Sequence, residues 1–383
     1  MRGSRALTDS VRRHRVPAWW SDAKLGIFVH WTPASVPAFA PVDSDMGALL
    51  ARGDPRALAW SPYVEWYQNS LRFPESPVAR FHAATYQGRG YESFIADFEA
   101  GQAGWDPEDW AARFAATGAR YVVMVTKHHD GYCLWPSEVE NPHRPGWRSE
   151  RDFVGELAEA VRGRGLRFGV YYSGGLDWTF RADPIRHMVD AYACVPTSPD
   201  YQAYAAAQVR ELIARYRPSV LWNDIAWPDK EALPALFADY YAAVPDGVVN
   251  DRWLAEPALF EALRDPAIRA QGVERMKVAA ARTERRPPRA PPHCDFRTAE
   301  YTTAEDFGEA KWEATRGLGL AFGYNANERT EDYLKGADLV ALYQDVTSRG
   351  GNLLINVGPR ADASIPDVQR APLTALGKFI RSD

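Results

Sequence analysis

Residues 106–130 read DPEDWAARFAATGARYVVMVTKHHD, and this stretch decides the fold class. Asp106 is placed to cap a helix, Pro107 suits the first helical position, and Gly118 ends the helical pattern. The apolar run Tyr121 to Thr126 then predicts a buried strand, and polar residues follow it at once. A helix that leads into a buried strand is the repeating unit of a parallel α/β sheet.

The same alternation continues along the chain. A helical pattern over Phe153 to Arg162 leads into a strand at Arg167 to Tyr172, and a helix over Tyr201 to Arg215 leads into Val220 to Trp222. Three clean βα passages in succession predict a (β/α)8-like TIM barrel, with an open doubly wound sheet as the alternative. The remaining predicted strands are Leu25 to His30, Gly247 to Asn250, His293 to Phe296, Leu320 to Tyr324 and Leu353 to Val357.

We predict one catalytic domain over residues 1–383, with insertions at about 39–101 and 257–292. The first insertion is rich in Pro, Tyr and Trp and is too long for a passive connection, so we expect it to belong to a site or its lid. The second holds a charge-rich helical segment and then the Arg/Pro stretch Arg282 to Pro292, which we expect to be a surface loop.

Charge and cysteine content exclude several classes of protein. Lys and Arg number 45 against 50 Asp and Glu, and the net charge of −5 gives no electrostatic footprint for nucleic acid or an anionic membrane. The three cysteines form neither a disulfide framework nor a metal-binding pattern. No apolar run approaches the roughly 18 residues of a membrane span, and no secretory signal is visible, so we expect a cytoplasmic protein.

Polar and aromatic residues follow the predicted strands, at the end where barrel enzymes build their active sites. Two carboxylates from different strand ends, Asp224 and Glu300, would form the acid/base pair of glycoside hydrolysis if they shared one pocket. Both also have structural interpretations, since Asp224 could cap the turn before Pro228 and Glu300 could stand in the first turn of a helix capped by Thr298.

The histidines and the first insertion leave further alternatives open. His128 and His129 could bind a metal, serve as structural histidines or bind hydroxyls of a substrate, and His30 has the same three interpretations. Metal binding is the least favoured, because adjacent histidines on an extended segment point to opposite sides and no third ligand stands at a typical zinc spacing. The carboxylate of Glu65 and the ring of Trp66 could belong to a surface helix face or to a binding platform.

Arg252 follows the fifth predicted strand and has two interpretations of its own. Its guanidinium could bind a substrate hydroxyl, or it could hold Asp224 ionised as an opposite charge a few Å away. The segment 350–359 contains the last predicted strand, and we assign it a mainly structural role. Two glycines predict a tight turn before the strand, and a second turn follows it.

Short motifs at these strand ends occur in a characteristic order. Together they resemble the motifs of glycoside hydrolase family 29, the retaining α-L-fucosidases, over about residues 17–380. The motifs are Lys24-Leu-Gly-Ile-Phe-Val-His-Trp, Glu65-Trp-Tyr, the segment 121–135, Phe168-Gly-Val-Tyr-Tyr-Ser, Leu221-Trp-Asn-Asp, Trp312-Glu-Ala, Phe322-Gly-Tyr-Asn and Gly350-Gly-Asn-Leu-Leu-Ile-Asn-Val-Gly-Pro.

The resemblance implies an enzyme that hydrolyses terminal α-L-fucose from oligosaccharides or glycoconjugates with net retention and without a metal or other cofactor. It implies that Asp224 is the nucleophile. It also implies that Glu300, in Thr-Ala-Glu-Tyr where the family carries Thr-Pro-Glu, is the general acid/base. Tyr171 is a neighbouring candidate for the role of Tyr172. The residues that it implies around the fucose are His30, Glu65, Trp66, His128, His129, Tyr172, Trp222 and Arg252.

One departure from the family concerns the end of the chain. Family members usually continue into a C-terminal β-sandwich, and from the sequence we expect this chain to lack it. We therefore expect exposed apolar barrel surface that a homo-oligomer could bury. Two other functions stay open: a catalytically impaired fucose-binding protein of the same fold, and a metal-assisted hydrolase that uses His128 and His129.

Overall fold

A parallel eight-stranded sheet forms the centre of the computed structural model, which describes residues 9–280, 291–303 and 307–382. The strand order is β5-β4-β3-β2-β1-β8-β7-β6, so β1 pairs with both β2 and β8. The predicted (β/α)8-like barrel is confirmed. The strands are β1 Leu25–Val29, β2 Tyr121–Lys127, β3 Arg167–Tyr172, β4 Val220–Asn223, β5 Val248–Val249, β6 Arg297–Glu300, β7 Trp312–Gly317 and β8 Asn352–Val357.

Helices follow most strands, and further short helices lie within the two long insertions. The helices of the described residues are α1 Ala18–Ser21, α2 Met46–Ala51, α3 Tyr67–Ser70, α4 Pro77–Tyr86, α5 Phe94–Gly101, α6 Pro107–Ala116, α7 Phe153–Gly163, α8 Met188–Ala193, α9 Pro199–Tyr216, α10 Leu233–Ala243, α11 Pro257–Ala262, α12 Pro266–Ala280, α13 Gly336–Ser348 and α14 Asp367–Ser382, after a helical stretch over 9–13.

The start and the end of α6 have the features that the sequence predicts. The Asp106 side chain accepts a hydrogen bond from the backbone N–H of Glu108, Pro107 takes the first helical position, and Gly118 has the positive φ of 85° that ends such helices. The chain therefore enters β2 at Tyr121, as the sequence predicts.

Side chains of each strand alternate between two apolar cores. In β2, Val122 and Met124 pack outward against the helices, while Tyr121 and Val123 pack inside the barrel. Gly26 on the neighbouring strand makes room for the large ring of Tyr121, because a Cβ there would lie 2.3 Å from that ring. The barrel is thus a filled core that supports a pocket at one end.

β5 and β6 form the two ends of the strand order, and no ladder joins them within the described residues. One backbone bond, from the N–H of Asp295 to the carbonyl of Val249 at 2.9 Å, crosses this seam together with several side chains. The Asp295 carboxylate accepts the N–H of Val249 at 2.8 Å, and the Asp251 carboxylate accepts the N–H and hydroxyl of Thr298 at 3.2 and 2.7 Å. Asp251 also pairs with Arg297 at 3.0 Å. Charged hydrogen bonds therefore close the barrel where the strand ladder stops.

Three predicted strands differ from the structure. The seventh strand is Trp312–Gly317, so the prediction of Leu320 to Tyr324 is wrong, and the sixth lies at Arg297–Glu300 rather than His293 to Phe296. The fifth is shortened to Val248–Val249. β6 and β7 are polar sequences, and Glu313 of β7 is fully buried inside the barrel, where it accepts hydrogen bonds from Tyr121 and Trp222. Apolar periodicity cannot find such strands.

The two predicted insertions form helical layers around the barrel mouth. The first contributes α2 to α5, and the described part of the second contributes α11 and α12. Most of the predicted surface loop Arg282 to Pro292 lies outside the described residues. No helix in the described ranges is long and apolar enough to cross a membrane.

Candidate active site

A pocket opens at the carboxyl ends of the barrel strands, where the sequence predicts a site. It brings together residues on or directly after six strands, β1 to β4, β6 and β7, with residues of the first insertion. Among its lining residues are the predicted His30, Glu65, Trp66, His128, Trp222, Asp224 and Glu300, together with Tyr171.

Asp224 follows β4 directly and is 8% exposed. Its Oδ1 accepts hydrogen bonds from Arg252 Nη1 and the N–H of Ile225, each at 2.9 Å, and its Oδ2 accepts one from the Tyr171 hydroxyl at 2.8 Å. Burial by itself would raise the pKa of Asp224, but the Arg252 guanidinium and the Tyr171 hydroxyl outweigh it and hold that pKa below its usual value. The carboxylate is therefore kept ionised at the floor of the pocket.

Glu300 is the last residue of β6, so the alternative of a first-turn helical carboxylate is excluded. Its side chain is 25% exposed, and Arg252 Nη2 donates to its Oε2 at 2.5 Å. The Tyr63 hydroxyl donates to Oε1 at 2.7 Å. Because one planar guanidinium contacts both carboxylates, the contacted oxygens of Asp224 and Glu300 lie no more than about 8 Å apart.

The three histidines are buried and neutral. Burial lowers the pKa of His30 to about 3 and that of His129 to about 4, and it also holds the pKa of His128 well below its usual value. Asn356 donates to the carbonyl of Phe322, so its Oδ1 accepts from His30 Nδ1 at 2.6 Å. The Nε2 atom of His30 is then an acceptor.

His129 is oriented in the same way. The Ser173 hydroxyl donates to the Leu176 carbonyl, so it accepts from His129 Nδ1 at 2.6 Å. The Nε2 of His129 lies 3.8 Å from Asp224 Oδ2. Among the described residues, neither this atom nor Nδ1 of His128 has a hydrogen-bond partner. In the part of the chain that the structure describes, no three His, Cys, Asp or Glu side chains are arranged to hold a metal ion.

Glu65 and Trp66 come from the first insertion and lie inside the pocket rather than on a surface helix face. Glu65 is buried and accepts the N–H of Gly323 at 2.9 Å. Burial raises the pKa of its carboxyl to about 7, so a protonated form is accessible at neutral pH. Trp66 packs edge-on against His129 at a ring distance of 5.1 Å. The insertion thus supplies one wall of the pocket.

The structure does not bring Tyr172 into the pocket, which corrects its predicted position. Side chains alternate along β3, so the Tyr172 hydroxyl points into the helical layer and donates to Gln208 at 2.9 Å. Tyr171 takes the inward position, stacks on Trp222 at 5.5 Å and donates to Asp224. Tyr171 was the neighbouring candidate in the sequence.

Two residues that hold the site were missed from the sequence. Tyr63 donates to Glu300, and no motif points to it, because only the folded insertion brings residue 63 to residue 300. Asn356 orients His30, although segment 350–359 had a mainly structural interpretation. An amide within the apolar run Leu353 to Val357 was the available signal, since a buried Asn requires partners.

Comparison with known proteins gives a consistent result. The family model for alpha-L-fucosidase matches residues 3–383. An alpha-L-fucosidase of Dictyostelium discoideum is 27% identical over 97% of this chain and 71% of its own, and the tissue alpha-L-fucosidase of Rattus norvegicus is 30% identical over 97% and 70%. The crystal structure of Thermotoga maritima alpha-fucosidase, in complex with a mechanism-based inhibitor, superposes with a TM-score of 0.79 at 43% identity, over 97% of this chain and 75% of that one.

Proposed function

Because this chain belongs to the alpha-L-fucosidase family of glycoside hydrolases, we propose that it hydrolyses terminal α-L-fucosides with net retention, by double displacement at Asp224 and Glu300. The observation that carries the proposal is the single guanidinium of Arg252, which contacts both carboxylates at the edge of one pocket. Fucosylated oligosaccharides or glycoconjugates are the proposed substrates.

In the first step, an Asp224 oxygen attacks the anomeric carbon while the bond to the leaving oxygen breaks. Three hydrogen bonds keep Asp224 ionised, as a nucleophile requires. Glu300 gives its proton to the leaving oxygen. Because Arg252 Nη2 contacts its Oε2 and the Tyr63 hydroxyl contacts its Oε1, one of these contacts has to loosen when substrate enters.

In the second step, the Glu300 carboxylate takes a proton from water, and the water oxygen attacks the anomeric carbon. The bond to Asp224 breaks, fucose leaves with the configuration of the substrate, and Glu300 is again protonated. The partial exposure of Glu300 supports this role, since the incoming water has to reach it.

The neutral histidines suit recognition of sugar hydroxyls. Nδ1 of His128 and Nε2 of His129 are buried without partners, a condition that a bound hydroxyl would relieve. Glu65, with a pKa raised to about 7 by burial, can accept or donate at a third hydroxyl. The ring of Phe322 stacks on His30 at 4.8 Å and offers an apolar face for the C6 methyl of fucose.

The roles of the two carboxylates are separable by choice of substrate. We expect Asp224→Ala to abolish turnover of every fucoside, with azide restoring activity and giving a fucosyl azide of inverted configuration. We expect Glu300→Ala to lose far more activity on methyl α-L-fucoside, whose leaving group needs a proton, than on α-L-fucosyl fluoride.

Several results would contradict the proposal. Undiminished turnover by Asp224→Ala would exclude it as the nucleophile, and equal losses on both substrates for Glu300→Ala would exclude the acid role. Release of the opposite anomer by the unmodified enzyme, observed by NMR, would exclude retention. Fucose binding without hydrolysis of any fucoside would favour the impaired binding protein.

A further inference from the structure

The outer part of the pocket has a wall without hydroxyl, amide or charged side chains. Met46, Leu50, Leu58, Met188 and Ile225 form it, and we call these five residues the apolar wall. Leu50 is 43% exposed, so the wall reaches the pocket mouth. The inner pocket, by contrast, is lined with carboxylates and histidines.

The first insertion and α8 build most of the apolar wall. Met46 and Leu50 lie on α2, and Met188 begins α8. The N–H of Leu58 donates to the carbonyl of Arg186 at 3.1 Å, which joins the two segments. Behind α8, the rings of Tyr192 and Phe260 stack at 6.0 Å, so α11 of the second insertion supports the wall from outside.

The apolar wall adjoins the side of the pocket where Glu300 lies. Gly47 of α2 packs against the residue after Glu300, since a Cβ on Gly47 would lie 3.1 Å from the carbonyl oxygen of Tyr301. Tyr63, which donates to Glu300, belongs to the same apolar cluster as Met46 and Leu58. An acid that protonates the leaving oxygen stands on the leaving-group side of the sugar. The wall therefore faces the leaving group.

Ile225 extends the wall to the other carboxylate. It follows Asp224 and has a φ of 65°, a region that β-branched residues rarely adopt. Such strain persists at sites where the surrounding structure enforces it. Here it allows the N–H of Ile225 to donate to Asp224 while its side chain lines the pocket. The apolar surface thus runs from the nucleophile side to the acid side.

On the proposed function, we infer that the leaving-group side of the pocket binds hydrocarbon, so that fucosides with a larger alkyl or aryl leaving group are preferred over those with a small one. Tyr63 and Trp66 of the same lining offer a hydroxyl and aromatic faces, whereas the five residues of the apolar wall offer only hydrocarbon and thioether groups. Methyl and thioether groups instead favour burial of hydrocarbon, and methionines adapt to its shape.

The test compares substrates whose leaving alcohols are alike in acidity but differ in hydrocarbon. We expect kcat/KM for octyl α-L-fucoside to exceed that for methyl α-L-fucoside by about tenfold or more, because two or more buried methylenes suffice for that factor. An octyl to methyl ratio near one would overturn the inference.

Two methionine variants test whether the preference for octyl α-L-fucoside depends on the apolar wall. Met188 and Met276 are both partly buried, but only Met188 lines the pocket. We expect Met188→Gln to lower the octyl to methyl ratio several-fold and Met276→Gln to leave it unchanged. Equal ratios in the two variants would overturn the inference. Hydrolysis of α-L-fucosyl fluoride, which has no aglycone, tests the proposed function separately: its absence overturns both, whereas its presence with a ratio near one overturns only the inference.

Discussion

Arg252 is the residue on which the electrostatics of the pocket depend. Its guanidinium lies over the ring of Trp222 at 4.8 Å and reaches both Asp224 and Glu300. Trp222 is itself fixed by the hydrogen bond from its Nε1 to Glu313 at 3.1 Å. The floor of the pocket therefore orients the cation, and the cation orients the two carboxylates.

Removing this cation should change the pH dependence of catalysis. In Arg252→Met, burial of Asp224 is no longer opposed by the guanidinium, so its pKa rises. The proposed mechanism requires ionised Asp224, so we expect the acidic limb of the kcat/KM profile to move to higher pH. Arg252→Lys keeps the charge and should stay closer to the unmodified enzyme. An unmoved limb in Arg252→Met would contradict this assignment.

The adjacent tyrosines of β3 offer a matched pair of variants. Tyr171→Phe removes a hydrogen bond to a charged carboxylate, so we expect kcat/KM to fall about tenfold or more. Tyr172→Phe removes a bond to Gln208 in the helical layer, so we expect a stability loss of about 1 kcal/mol with kcat/KM nearly unchanged. Steady-state kinetics and urea unfolding of both variants test the pair, and a reversed pattern would restore the predicted role of Tyr172.

At the scale of elements, a buried ion pair joins the ends of β2 and β3. Lys127 ends β2 and donates to Asp177, in the loop after β3, at 2.7 Å, with both side chains fully buried. The next residue, Trp178, donates its N–H to the carbonyl of His129 at 2.7 Å. The pair thus fixes the segment that presents the histidines to the pocket.

Removing one member of this ion pair should lower the stability of the fold. We expect Lys127→Met to destabilise the protein by about 3–5 kcal/mol, because it leaves Asp177 buried without its cation. The double variant Lys127→Met/Asp177→Asn should recover part of that loss, since no uncompensated charge remains. Urea unfolding of the two single variants and the double variant measures the coupling. Additive losses would show that the pair contributes no such coupling.

At the scale of the whole molecule, the two proposed catalytic carboxylates lie on opposite sides of the seam between β5 and β6. Asp224 and Arg252 belong to one side of it and Glu300 to the other. Asp251 spans the seam by accepting from Thr298 and pairing with Arg297. The distance between the carboxylates of Asp224 and Glu300 therefore depends on side chains that close the barrel.

Asp251→Ala should accordingly reduce both stability and activity. We expect a stability loss of about 2–4 kcal/mol, because partners of a largely buried carboxylate are left unsatisfied, together with a clear fall in kcat/KM. Asp97→Ala removes an exposed partner of Arg89 and should change stability by less than about 1 kcal/mol with normal kinetics. Thermal unfolding and kinetics of both variants test this, and a stable, fully active Asp251→Ala would contradict it.

The strands that bury apolar side chains on both faces could be predicted from the sequence, and those that carry polar groups inward could not. Tyr121 to Thr126 was found because its residues are apolar on both sides. Trp312–Gly317 was missed because Glu313 faces the barrel interior, where Tyr121 and Trp222 satisfy it. A buried carboxylate is tolerated only with such partners, and these come from distant parts of the chain.

The sequence by itself determined the barrel and the strand ends on which Asp224, His30 and the neighbouring polar residues stand. Apolar periodicity, caps and strand-end motifs are local, so they can be read from the chain directly. Only the tertiary structure decided that Tyr171 rather than Tyr172 faces the pocket, that Tyr63 contacts Glu300, and that five apolar side chains meet in the apolar wall. These depend on strand register and on the packing of insertions against the mouth, which are long-range properties of the folded chain.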